Sequence, residues 1–208
     1  MTLIENNAVV LFQGDSITDA GRNRETGADF GWGYANIIAA LFTNRYPEKE
    51  VKFLNRGIGG DRVVDLERRW EADCLALAPT WVSVYIGIND TWRRYDNNSP
   101  MSVDEYASAY RRILTQVRER TSANLILVEP FVLPVNEAQK AWREDLDPKI
   151  QAVRELANAF KTLYVPLDGL FAAAATRTGP EYWAPDGVHP SPAGSALIAK
   201  AWLQAVGV

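Results

Sequence analysis

The apolar positions of this chain form two alternating kinds of pattern. Short apolar runs rich in Val, Ile, Leu and Phe, most of them continuous, occur at residues 8–12, 51–54, 81–86, 125–128 and 163–165, each bounded by turn residues. Runs of this length without polar alternation predict strands buried on both faces. Between them the spacing changes. Val63, Leu66, Trp70, Cys74 and Leu77 recur every three or four residues, which predicts a helix over 61–77 with one apolar face. Val103, Tyr106, Tyr110, Ile113 and Val117 repeat the pattern, as do Ile150, Val153, Ala157 and Phe160. A last helix is predicted after Ser191, an N-cap residue followed by Pro192 in the first turn. Strands alternating with helices imply right-handed crossovers and a parallel sheet covered on both sides. No repeat, low-complexity stretch or linker divides the 208 residues. The expectation is one α/β domain over 1–208, a three-layer α/β/α sandwich with a five-stranded parallel sheet in flavodoxin-like order.

That architecture places the polar motifs. In open parallel sheets, ligands bind beyond the carboxyl ends of the strands. Ser16 follows the first predicted strand, Gly57-Ile58-Gly59-Gly60 the second, Gly87-Ile88-Asn89-Asp90 closes the third, and Asp186 and His189 follow the fifth. His189 is the single histidine, so chemistry that needs an imidazole near neutral pH must use it. It stands in Asp186-Gly187-Val188-His189-Pro190, where a carboxylate can fix the ring tautomer. Ser16 is a weak nucleophile without a base, and His189 is the base available. An oxyanion would need donors, for which the backbone N–H groups of Ser16 and of one glycine in the second loop are candidates, with the Asn89 side chain. Each motif alone has an ordinary reading. Gly14-Asp15-Ser16 can be a turn, Asn89-Asp90 a helix cap, and the glycine run a βα turn. The glycine run is not a dinucleotide fingerprint, because Arg62 stands where the third glycine belongs. Agreement of four motifs at one sheet edge points to a hydrolytic serine.

Composition removes other classes. Hydrophobic residues make up 47% and charged residues 23%, ordinary for a globular protein, and the net charge of −4 supplies no attraction to nucleic acid or anionic membrane. The one cysteine, Cys74, excludes an internal disulfide and lies on an apolar stripe, which predicts a packed core thiol. One Cys and one His exclude a metal site of the Cys/His type, and no metal or cofactor is expected. The first seven residues carry no basic charge, the apolar run after them is too short for a signal peptide, and no stretch reaches the ~20 apolar residues of a membrane span. A cytoplasmic location is expected, acting on a small-molecule ester, with exposed aromatics leaving room for a homo-oligomer.

The motifs Gly14-Asp15-Ser16, the glycine loop after Asn55, Gly87-Ile88-Asn89-Asp90 and Asp186-Gly187-Val188-His189 resemble, in order and spacing, the blocks of the SGNH hydrolases, also called GDSL-type esterases and lipases. The resemblance covers nearly the whole chain. It implies the SGNH hydrolase fold, Ser16 as nucleophile, His189 as base, Asp186 as its orienter, and an oxyanion hole of Ser16, Gly60 and Asn89. Gly60 is favoured over Gly59 because the family's donor glycine usually lies five residues after the leading Asn of its block. Longer stretches, among them 14–22, Gly31-Trp32-Gly33-Tyr34, 87–93 and 186–191, resemble intracellular acetylxylan esterases, which implies a sugar acetylesterase.

The residues themselves point the same way. Trp32, Tyr34, Trp92, Tyr95 and Trp183 are expected in loops near the catalytic edge, where flat rings suit sugar faces and Arg93 can bond hydroxyls. Their ordinary alternative is packing in the core. Candidate substrate contacts are therefore Trp32, Tyr34, Trp92, Arg93 and Trp183. A thioesterase or lysophospholipase, a general short-chain arylesterase, and a non-catalytic α/β binding module are the competing readings.

Overall fold

A computed structural model describes residues 2–25 and 29–208. In chain order the elements are β1 (Val9–Gly14), α1 (Ser16–Asp19), α2 (Tyr34–Arg45), β2 (Lys52–Asn55), α3 (Val63–Asp73), β3 (Trp81–Tyr85), α4 (Ile88–Asp96), α5 (Val103–Arg120), β4 (Asn124–Val128), α6 (Glu137–Lys140), α7 (Arg143–Phe160), β5 (Leu163–Val165), α8 (Leu167–Thr178) and α9 (Pro192–Ala205). The five strands form one sheet of order β2-β1-β3-β4-β5. All four pairings are parallel, as the apolar runs predicted.

Strand side chains alternate between two cores. Val10 and Phe12 of β1 and Ile126 and Val128 of β4 point to a layer built on α2, α8 and α9. Leu11, Val82, Val84, Leu125 and Leu127 point to the layer of α3, α5 and α7. Aromatic pairs fill the first layer: Phe12 packs on Trp202 with centroids 5.6 Å apart, and the Trp202 indole N–H donates to Ser83 Oγ at 3.0 Å. The second layer carries the helical stripes. Val63, Leu66 and Trp70 of α3 meet Tyr106, Tyr110, Ile113 and Val117 of α5 there.

The helix predicted over 61–77 is interrupted. It ends at Asp73, Cys74 leaves helical geometry at φ −130°, and a 3-10 turn takes Leu75–Leu77. Cys74 is fully buried, and burial pushes its thiol up to about 12, which fits an inert core group. Ser191 caps α9 through its hydroxyl, which accepts from the Gly194 N–H at 3.2 Å, with Pro192 at the first position. No helix among the described residues is long and apolar enough to cross a membrane.

Candidate active site

The site lies at the carboxyl edge of the sheet, where β1, β2 and β3 release their chains beside the loop that leads into α9. β1 ends at Gly14, and Asp15 caps the one-turn helix α1 by accepting from the Ile17 N–H at 3.0 Å. Ser16 is therefore the first residue of α1. Its N–H has no intrahelical acceptor and no partner among the described residues. Ser16 Oγ lies 2.9 Å from His189 Nε2, and His189 Nδ1 lies 2.5 Å from Asp186 Oδ2. With Nδ1 protonated toward the carboxylate, Nε2 is left to accept from the serine hydroxyl.

Asp186 and His189 share a tight turn. Asp186 Oδ1 accepts from the Val188 and His189 N–H groups at 2.9 and 2.7 Å. Gly187 between them adopts φ +83°, and a Cβ there would stand 2.6 Å from both Leu133 O and Gln139 Oε1. Gln139 of α6 braces the turn, donating from Nε2 to Asp186 O at 2.6 Å while its Oε1 accepts from the Val135 N–H at 3.0 Å.

Electrostatics follow this geometry. Burial works to raise the Asp186 carboxyl, but hydrogen bonds from the His189 ring and from two backbone N–H groups outweigh it and lower the group to about 2. The hydrogen bond to Asp186 raises His189 above its ordinary 6.5, against the opposing effect of burial, and the charges of Asp186 and Asp15 add to the rise. Burial pushes Asp15 up to about 7, with the Ile17 N–H and the His189 charge acting against it.

Opposite the serine stands the loop after β2. The N–H of Arg56 donates to Phe12 O at 2.9 Å, that of Gly57 to Asn55 Oδ1 at 2.8 Å, and that of Ile58 to Gly14 O at 3.1 Å. The Gly59 N–H is taken by Asp19 Oδ2 at 3.0 Å, and that of Asp61 by Ile58 O at 3.2 Å. Among the described residues, Gly60 is left as the one position of this run whose N–H has no partner. Its φ of +88° and the open space around it suit an N–H turned to a ligand. Asn89, in the first turn of α4 and only 2% exposed, donates from Nδ2 to Asp61 O at 3.1 Å. An amide carries two N–H hydrogens, so a second remains. Its Oδ1 is held by Arg93 Nη2 at 3.4 Å.

The expected substrate contacts divide. Trp92 packs its ring 6.0 Å from that of His189 and 5.2 Å from Trp142, with the Arg93 guanidinium 5.8 Å from its centroid. Arg93 also pairs with Asp96. Trp32 is 70% exposed. Trp183 is partly buried, its indole N–H donating to Thr178 Oγ1 at 2.8 Å. Among the described residues, no hydrogen bond or ring contact joins Trp32 or Trp183 to Ser16, His189 or Asp186. Tyr34 must be corrected. It is 1% exposed, buried among Phe12, Tyr85 and Ile38, with its hydroxyl 2.9 Å from Thr18 Oγ1, and offers no face to a ligand. Nor do all these aromatics lie in loops: Tyr34 opens α2, and Trp92 and Tyr95 lie on α4. Sequence reasoning missed the Asp19 carboxylate, the Asp61 carbonyl and Gln139, because nothing local marks a residue whose partner lies tens of positions away. Among the described residues no cluster of His, Cys, Asp and Glu could hold a metal ion.

Comparison with known proteins places the chain in a family. The family model for GDSL-like lipase/acylhydrolase matches residues 12–197. The chain is 36% identical over 206 residues to an acetylxylan esterase of Geobacillus stearothermophilus, covering 95% of this chain and 93% of that one. A crystal structure of a GDSL-like lipase from Parabacteroides merdae superposes with TM-score 0.94 at 36% identity, covering 98% of this chain and 97% of the other. That of the G. stearothermophilus acetylxylan esterase gives 0.92 at 36% identity, covering 99% and 96%. The chain belongs to the GDSL-like lipase/acylhydrolase family and is a carboxylic ester hydrolase.

Proposed function

We propose that this enzyme removes acetyl groups from short, xylose-type oligosaccharides through a Ser-His-Asp acyl-enzyme mechanism. The observation that carries the mechanism is the unbroken chain of hydrogen bonds from Ser16 Oγ through His189 to Asp186. In this reading Ser16 Oγ attacks the ester carbonyl while His189 Nε2 takes its proton. Asp186, ionised at neutral pH, stabilises the imidazolium and holds its tautomer. The tetrahedral oxyanion is met by the Ser16 and Gly60 N–H groups and by the second hydrogen of Asn89 Nδ2. His189 returns its proton to the departing sugar hydroxyl, leaving acetyl on Ser16. Water, deprotonated by His189, then releases acetate. Catalytic mutants of the G. stearothermophilus enzyme, with a serine, a histidine or an aspartate changed to alanine, are among the matching structures, which supports the same three residue types here.

The substrate assignment rests on the relatives together with the rings available near the edge. One matching structure is described as an acetyl-xylooligosaccharide esterase. Trp32 is exposed, so its flat face is open to sugar C–H groups, and the partly buried Trp92 lies against the His189 ring. The test is kcat/KM for a series of acyl esters sharing one leaving group, followed by acetylated xylooligosaccharides. Activity should be highest for acetyl and fall as the chain lengthens. A true acyl groove would gain ~0.8 kcal/mol per buried methylene, so a maximum at about eight carbons or more would overturn the acetyl assignment in favour of a thioesterase or lysophospholipase.

A further inference from the structure

We propose that Asp19 is a positioning residue for the oxyanion hole: it ties the Gly59 N–H to the helix that carries Ser16 and so aims the adjacent Gly60 N–H. The inference rests on the proposed role of Gly60. Three hydrogen bonds hold the base of the β2 loop, those from Arg56 and Ile58 to the backbone of β1 and that from Gly57 to Asn55 Oδ1. Side chains reinforce the base. Asn55 Nδ2 donates to Thr18 O at 2.6 Å, and the buried Arg22 donates to Gly57 O at 3.2 and 3.0 Å. None of these reaches the tip. There, the bond from Gly59 to Asp19 Oδ2 is the one hydrogen bond among the described residues that joins the loop to an α1 side chain.

Asp19 stands one turn after Ser16 in the same short helix, so its carboxylate makes one rigid unit of the two backbone donors. The residue is 6% exposed, and Arg24 pairs with the same Oδ2. Its Oδ1 is buried with no partner among the described residues. Burying an acceptor without a partner is costly, and a carboxylate chosen for packing alone would not be placed so. What the arrangement provides is a charge-assisted acceptor for Gly59, stronger than a neutral one, on a turn that the Asp61 N–H to Ile58 O bond closes without fixing the direction of its central Gly59–Gly60 peptide.

The role predicts a loss confined to the transition state. Asp19→Ala should lower kcat by about 10–100-fold with KM within about threefold of wild type, because the donor is misaimed rather than removed. Affinity for a small alkyl boronic acid, which becomes tetrahedral on the serine, should fall in parallel with kcat/KM. Asp19→Asn keeps an oxygen that accepts from Gly59 and should recover most of the loss, to within about fivefold of wild type. A merely structural role would instead lower the melting temperature and leave the kcat and KM of the folded fraction unchanged. Wild-type kcat in folded Asp19→Ala, a loss confined to KM, or Asp19→Asn no better than Ala would overturn the proposal. Should Asp19→Ala fail to fold, Asp19→Glu takes its place. It keeps the charge, displaces the oxygen by one methylene, and should lose about tenfold in kcat, whereas wild-type kcat there overturns the proposal. Ser16→Ala measured alongside separates the two readings. Turnover retained in Ser16→Ala removes the triad and this inference with it, while an inactive Ser16→Ala beside a fully active Asp19→Ala removes this inference alone.

Discussion

Replacing Asn89 by Ala should cripple turnover while barely disturbing the fold. The side chain has two engagements in the free enzyme, Nδ2 to Asp61 O at 3.1 Å and Oδ1 to Arg93 at 3.4 Å. The second is long and weak, so the stability at risk is essentially one buried hydrogen bond, about 1 kcal/mol. For a chain of this size that corresponds to a fall of about 2–4 °C in Tm. The loss in the transition state is larger. A side-chain donor to an oxyanion contributes about 2.7–4 kcal/mol, a factor of about 10²–10³ in kcat. The remaining hydrogen on Nδ2 meets full negative charge only when the tetrahedral species forms, so KM should change little. Steady-state hydrolysis of an acetyl ester with a chromogenic leaving group, with a thermal melt on the same sample, measures both effects. Asn89→Asp should lose at least as much kcat, since it keeps the shape but turns an acceptor oxygen toward Asp61 O and the oxyanion. A kcat within tenfold of wild type, or a deficit carried by KM, would refute the reasoning and make Asn89 a brace for the Asp61 carbonyl.

Three further outcomes follow from the site. With His189 as the base, catalysis needs its neutral ring, whose pKa is raised above 6.5, so kcat/KM should fall as pH drops through that raised value and hold above it. The NMR titration of the single imidazole should share the midpoint, and clearly different midpoints would remove His189 as the base. Asp15, pushed up to about 7 by burial, contributes to the rise in His189, so Asp15→Asn should move the acid limb to lower pH; an unchanged limb would show that the two groups do not sense each other. Tyr34→Phe deletes a buried hydroxyl paired with Thr18 and should cost about 1 kcal/mol of stability with kcat and KM unchanged; a rise in KM would restore Tyr34 as a substrate contact.

What could be read from the sequence was what lies in local pattern. Residues 125–128 read as a strand and lie within β4, because a strand buried on both faces shows as an unbroken apolar run whatever surrounds it. Asp186 and His189 were readable as a pair because one turn holds both, and Ser16 because it follows the first strand directly. The helix α2 was not readable. Its buried positions Tyr34, Ala35, Ile38, Ala39 and Phe42 are mixed with an exposed Leu41, so no clean stripe appears. Tyr34 was misassigned for the same reason: beside Gly31 and Gly33 it looked like loop, yet it opens a helix whose first two residues are buried. In α4 the inward residues after Ile88 are polar, Asn89, Asp90 and Thr91, and apolar periodicity is lost. Asp19, Asp61 and Gln139 act on the backbone of Gly59, the side chain of Asn89 and the backbone of Asp186, partners 40, 28 and 47 positions away, and no local pattern encodes such pairings.

The central claim is that Ser16 carries the acyl group. The most direct measurement is mass spectrometry of the enzyme quenched during turnover of an acetyl ester, with peptide mapping of any adduct, on wild type, His189→Ala and Ser16→Ala. Wild type should carry one acetyl on the peptide containing Ser16, because the serine hydroxyl lies within hydrogen-bond reach of its base. Ser16→Ala should carry none and show almost no turnover while melting like wild type. An acetyl adduct on another residue, or Ser16→Ala turning over at more than a few per cent of the wild-type rate, would contradict the account.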